Sequence, residues 1–179
     1  MKDEKILFIA ETTFTKKDFK KAVDYYDLLA EEFPKTKFYT GLIYGKAWSY
    51  YELGEYNASL SNFKIIVNDF PGDKFAQDAL FRIGICNYSI GNFKESEKAF
   101  LKFIDKYPLS NKAAEAFYLF GEIKYGLEDY SEALKYFERA INIKTSEPWI
   151  LSSYYHRGWS LLKSGRVEEA IKDFKKISG

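Results

Sequence analysis

Residues 47–71 read AWSYYELGEYNASLSNFKIIVNDFP, and the fold turns on this stretch. A helical run through Ala47, Trp48, Tyr50 and Tyr51 stops at Gly54, and a second begins at Tyr56 and stops at Phe70-Pro71. Residues 84–108, GICNYSIGNFKESEKAFLKFIDKYP, repeat the pattern. The start moves from 47 to 84 and the end from 71 to 108, a step of 37. A fixed step of this size marks one supersecondary unit recurring along the chain.

Five columns extend the step across the sequence. A ring or branched residue stands at Phe19, Tyr56, Phe93, Tyr130 and Val167. Small residues stand at Ala10, Ala47, Gly84, Gly121 and Gly158, and again at Ala22, Ser59, Ser96, Ala133 and Ala170. Rings stand at Tyr26, Phe63, Phe100, Phe137 and Phe174. A last column runs Phe14, Tyr51, Tyr88, Tyr125 and Leu162. Small residues let paired helices approach closely, and rings beside them bury roughly 150–250 Å² each. One pair cannot cover its own apolar face, so neighbouring pairs stack and share a core.

These residues resemble the tetratricopeptide repeat, whose helix–turn–helix carries a small residue, aromatics, Gly, Ala and Pro at set offsets. The best match is Ala47, Tyr50-Tyr51, Gly54, Tyr56, Ser59, Phe63 and Pro71. The resemblance implies an all-α fold, a right-handed superhelical solenoid of five helix-turn-helix units. They fall at about 3–34, 36–71, 73–108, 110–145 and 147–177, in a single domain over residues 1–179. The family period is about 34, so each unit carries three extra residues. The step of 37 with Phe-Pro or Tyr-Pro at the joint is similar to a bacterial subclass. That subclass includes the lipoprotein of the outer-membrane β-barrel assembly machine and the periplasmic partner of the Tol–Pal system. It implies the bacterial cell envelope or periplasm, with a cytoplasmic origin as the alternative.

The extra residues have an expected place. Thr36, Asp73 and Ser110 each follow a Pro by two positions and suit the N-cap of the next helix. The first helix of each pair is then expected to be longer by almost one turn. Asn92…Glu95 and Asp129…Glu132 read as capping boxes. Thr145 stands where unit four would carry its Pro, and Glu147 precedes Pro148, a residue suited to a first helical position. Gly54, Gly91 and Gly165 mark helix ends. The last helix carries Val167, Ala170, Ile171, Phe174 and Ile177 with no polar cap after it. That pattern leads to two expectations: a longer natural chain, favoured here, or association of copies through uncapped ends.

Composition narrows the function. Aromatic residues make up 19% of the chain, which argues against disorder. Lys plus Arg number 27 and Asp plus Glu 26, for a net charge of +1, so the electrostatic drive toward nucleic acid is missing. No apolar run is long enough to span a membrane, and no signal peptide opens the sequence. Met1 is therefore either native or left after removal of an export signal. Cys86 is the only cysteine, which excludes an intrachain disulfide and suggests a small buried hydrophobe. His156 is the only histidine. No phosphate loop, dinucleotide fingerprint, zinc spacing or Gly-x-Ser-x-Gly elbow occurs. The expectation is a non-enzyme without metal or cofactor.

In the tetratricopeptide family the first helices of successive pairs line the concave face. Tyr44, Trp48 and Tyr51 share one helical face at i, i+4 and i+7. Their equivalents are Leu7, Glu11 and Phe14; Phe81, Ile85 and Tyr88; Tyr118, Glu122 and Tyr125; and Tyr155, Trp159 and Leu162. Asp78 and Glu115 fall one turn earlier on this aisle, and Arg82 and His156 flank it. The candidate contact residues are Tyr44, Trp48, Tyr51, Phe81, Arg82, Tyr88, Tyr118, Glu122, Tyr125, Tyr155 and Trp159. Tyr51, Tyr88 and Tyr125 either brace adjacent first helices or face a ligand. Trp48 and Trp159 depart from the family pattern and are the stronger contact candidates, since Trp gives rigid area at low entropic cost. The Lys, Asn and Arg that clamp chaperone C-termini in this family are missing, apart from Arg82.

The expected partner is a protein, met as an extended segment with apolar or Pro residues and some Lys or Arg. Two alternatives stay open: the array as an arm of a larger enzyme or sensor, and the array as a self-assembly module.

Overall fold

A computed structural model describes residues 2–143 and 148–178. Among them are ten helices in five pairs: α1 (Lys2–Thr15) with α2 (Phe19–Glu32), α3 (Tyr39–Glu52) with α4 (Tyr56–Asp69), and α5 (Ala76–Ile90) with α6 (Phe93–Lys106). α7 (Ala113–Gly126) pairs with α8 (Tyr130–Asn142), and α9 (Trp149–Lys163) with α10 (Val167–Ile177). The described residues contain no strand, so the fold is all-α, as the columns require. By contact the chain divides into two compact bodies, Met1–Ala99 and Phe100–Gly179. The irregular joint at Thr145 and Glu147 lies outside the described residues.

The turn inside each pair is set by one backbone position. Lys17, Gly54, Gly91, Glu128 and Gly165 have φ of 63°, 76°, 84°, 60° and 76°. All five lie on the 37-residue step and all are left-handed. The sequence signalled only the three glycines, because glycine alone adopts this region without a Cβ penalty.

The joint between pairs departs from expectation. Thr36, Asp73 and Ser110 do accept hydrogen bonds from the backbone two residues on: Phe38 N at 3.3 Å, Phe75 N at 2.9 Å and Lys112 N at 3.3 Å. Those donors precede the regular helices, which begin at Tyr39, Ala76 and Ala113. Carbonyls 36, 73 and 110 accept from residues three further on, a 3₁₀ pattern. The extra residues thus build a tight turn, and α3 is no longer than α4, each having 14 residues, whereas α9 has 15 and α10 has 11.

The turn also ties neighbouring pairs. Thr36 Oγ1 donates to Asp3 Oδ2 at 3.1 Å, and Thr40 Oγ1 to Asp73 Oδ2 at 2.9 Å. One repeat later the hydroxyl and the carboxylate have exchanged columns, which preserves the bond.

The capping box at Asp129 forms by half, and the one at Asn92 does not form. Asp129 accepts from Glu132 N at 3.2 Å, but the Glu132 carboxylate pairs with Lys135. The Asp129 N–H that it would have reached already donates to Lys124 O at 2.9 Å. Asn92 N likewise donates to Asn87 O at 2.8 Å, and Glu95 pairs with Lys98. Pro148 precedes α9 as its cap, one position before the expected one.

Within the first body, Ala10, Ala22, Tyr26, Ala47 and Phe63 join one buried core. Cys86 is fully buried there, with Sγ 3.4 Å from Ser59 Oγ, and burial pushes its thiol pKa up. Ser96, in the second small column, donates to Gly84 O at 2.8 Å and so satisfies its buried hydroxyl.

In the second body the small column meets the ring column directly. A Cβ on Gly121 would lie 2.4 Å from the Phe137 ring, and one on Gly158 2.7 Å from Phe174. Arg157 locks α9 to α10 through a two-pronged pair with the buried Asp173, at 2.7 Å for each contact.

Candidate protein-interaction faces

In the first body, α3 presents Tyr44, Trp48 and Tyr51 as a ladder of edge-to-face rings, with centroids 6.3 and 5.6 Å apart. All three are half-buried. Tyr44 stacks on Phe75 at 4.3 Å and donates to Asp78 Oδ2 at 2.7 Å. Burial and that carboxylate raise its phenol pKa to about 12. The Arg82 guanidinium lies 4.2 Å from the Trp48 ring centre, a cation–π contact. Asp78 Oδ2 lies 3.8 Å from Arg82 Nε, which is buried without a hydrogen-bond partner.

Beside this ladder, between α1 and α3, opens a cleft of about 520 Å³. Glu11, Phe14 and Tyr26 line one side, and Tyr44, Trp48, Glu52 and Phe75 the other. Gly41 and Gly45 form part of its wall. Tyr26 is 2% exposed, and a Cβ at Gly45 would sit 2.3 Å from its hydroxyl. Desolvation, with Glu11 nearby, raises the Tyr26 pKa to about 12.

In the second body, His156 of α9 fills a cage made by α7 and α8. Its ring stacks on Phe137 at 5.9 Å and meets Tyr118 at 5.5 Å and Tyr125 at 6.3 Å. Nε2 lies 3.3 Å from Glu122 Oε1 and Nδ1 3.1 Å from Ser152 O. Further along α9, Tyr155 and Trp159 are 46% and 40% exposed. Both set an edge against Phe174, at 6.2 and 5.9 Å.

Two expected contact residues are closed off. Phe81 is 0% exposed, with Ile85 of the same face 8% exposed, so neither offers a surface. Tyr118 is 8% exposed because Trp149, His156 and Phe137 surround its ring. Tyr51, Tyr88 and Tyr125 have a structural task that differs from the one expected. Each packs edge-on against the opening ring of its own second helix: Tyr56, Phe93 and Tyr130, at 5.5, 5.8 and 5.5 Å. They brace a pair across its turn, as Phe14 does with Phe19 at 5.3 Å. Their rings keep half-exposed or half-buried edges.

Sequence reading missed Phe75 and Trp149, 74 residues or two steps apart, which cover the rings of Tyr44 and Tyr118. It also missed that Gly45, Arg82 and His156 share one column, together with Leu119.

Paired helices with a small column facing a ring column, joined at a constant step, define a tetratricopeptide-type helical repeat protein. The YfiO family, described as outer membrane lipoprotein, matches residues 39–178. The chain belongs to that family. Solved structures share the fold. MamA from Desulfovibrio magneticus RS-1 aligns with a TM-score of 0.81 at 18% identity, over 99% of this chain and 93% of that one. The C-terminal part of a TPR repeat-containing protein from Cytophaga hutchinsonii aligns at 0.78 and 15%, over 96% and 63%. A tetratricopeptide repeat protein from Parabacteroides merdae aligns at 0.69 and 19%, over 96% and 62%. Among curated proteins, none matches the chain. No described helix is long and apolar enough to cross a membrane.

Proposed function

We propose that this chain is a non-catalytic interaction scaffold of the bacterial cell envelope, binding an extended segment of a partner protein on its first-helix faces. The open aromatic cleft between α1 and α3 carries this reading, because monomeric proteins seldom leave rings and unpaired carboxylates around one concavity without a ligand. In the first body the contact residues are Tyr44, Trp48, Tyr51 and Arg82, with Tyr88 further along. In the second they are Glu122, Tyr125, Tyr155 and Trp159. Rings of low rotameric freedom suit recognition, and the carboxylates favour a segment with some Lys or Arg among apolar or Pro residues. Membership of an outer membrane lipoprotein family supports the envelope assignment.

The test is capture of a partner by the array from an envelope extract, repeated with Trp159→Ala. Trp159 is the cleaner probe, since it is 40% exposed, whereas Trp48 is half-buried under the Arg82 guanidinium. Capture is expected to fall while helicity holds. Unchanged capture by Trp159→Ala and by Trp48→Ala would remove these faces from the interaction.

A further inference from the structure

The repeat allows one cage to be read from another. In the second body, Glu122, Tyr125 and Phe137 hold the ring of His156. One step of 37 carried three times relates these residues to Glu11, Phe14, Tyr26 and Gly45 of the first body. The carboxylate, the bracing ring and the second-helix ring are kept, while Tyr118 and His156 of the filled cage become Leu7 and Gly45. Position 82, in the same column, carries Arg82, a cation seated on Trp48 beside Asp78. Where this column has a side chain in these two cages, a nitrogen group sits on rings beside a carboxylate. Where it has Gly45, the Tyr26 ring lies against the backbone and a cleft opens beside it. Among the described residues, neither Glu11 nor Glu52 at this cleft makes an ion pair, whereas Asp78 and Glu122 lie beside Arg82 and His156.

We propose that the cleft between α1 and α3 accepts a lysine or arginine side chain of the partner segment, seated against Phe14 with its charge at Glu11. This rests on the peptide-binding reading above and adds where the basic residue goes. A cation on a ring face is attracted by the ring quadrupole, and partial desolvation strengthens that attraction. The slender stem of Lys or Arg also suits a passage walled in part by Gly41 and Gly45.

The test is calorimetric titration of the intact chain with three blocked peptides: alternating Pro–Arg, alternating Pro–Gln and alternating Pro–Glu. Pro–Arg is expected to bind about fivefold or more tightly than Pro–Gln, and Pro–Glu weakest. Glu11→Gln, at an exposed side chain, is expected to erase most of that preference. Equal binding of Pro–Arg and Pro–Gln would leave the peptide face standing and overturn the cage. An Arg preference that survives Glu11→Gln would also overturn it. Binding of none of the three would overturn both.

Discussion

The cage around His156 and the cleft at Gly45 are built from the same columns of one repeat, yet one is closed and the other open. In the second body, a Phe137 ring lies under His156 and Glu122 faces its nitrogen at 3.3 Å. In the first, the Tyr26 ring lies where a side chain on Gly45 would begin, and a cleft of about 520 Å³ opens beside it. The filled cage and the cleft thus differ at three columns, Phe137 against Tyr26, Tyr118 against Leu7 and His156 against Gly45. A repeat protein can diversify in this way because its frame residues and its cage occupant lie in separate columns.

The comparison breaks first if the frame itself is wrong. Gly121→Leu forces a branched side chain into the Phe137 ring, since even a Cβ would approach to 2.4 Å. A loss of about 3 kcal/mol or more is expected in a denaturant melt. A wild-type midpoint would refute close approach in the small column.

Emptying the filled cage is the next test. His156→Ala removes a half-buried ring and leaves Glu122 without its partner, so a loss of about 2 kcal/mol is expected. Millimolar imidazole is expected to restore part of the melting temperature in this variant and to leave the wild type unmoved. No rescue would mean that the cage does not select its occupant.

A smaller gain sharpens the view of the turn. Glu128 holds φ of 60° where three equivalents are Gly. Glu128→Gly is expected to stabilise by about 1 kcal/mol. A loss in the same melt would mean that its side chain outweighs the backbone cost.

Alkaline pH gives the mildest probe. The phenols of Tyr26 and Tyr44 stand at about 12, above the ordinary 10.0. Unfolded chains then ionise first, so stability is full below pH 10.0 and is expected to fall as pH rises toward 12. Tyr44→Phe is expected to flatten that fall, and an unchanged slope would show that Tyr44 ionises alike in both states.

The columns were legible because close helix contacts admit only small residues and the rings beside them are large, as Ala47 and Phe63 or Gly121 and Phe137 illustrate. Cys86 was legible from its apolar neighbours. The cage occupants were not. Arg82 and His156 reach into the preceding pair from a column with no constant residue type, so no recurring letter marks them. Tyr118 and Phe81 shared a helical face with open rings and were still sealed, because periodicity gives direction and says nothing of what packs on top. Lys17 and Glu128 hid a left-handed turn that glycine would have announced.

Amide NMR of the wild-type chain during titration with propylguanidinium tests the central comparison most directly. Shifts are expected to concentrate at Gly41 and Gly45, beside the open cleft, with Gly121 and Gly158, beside the ring columns of the second body, unmoved. Shifts centred on Gly121 and Gly158, or none at Gly45, would contradict that comparison.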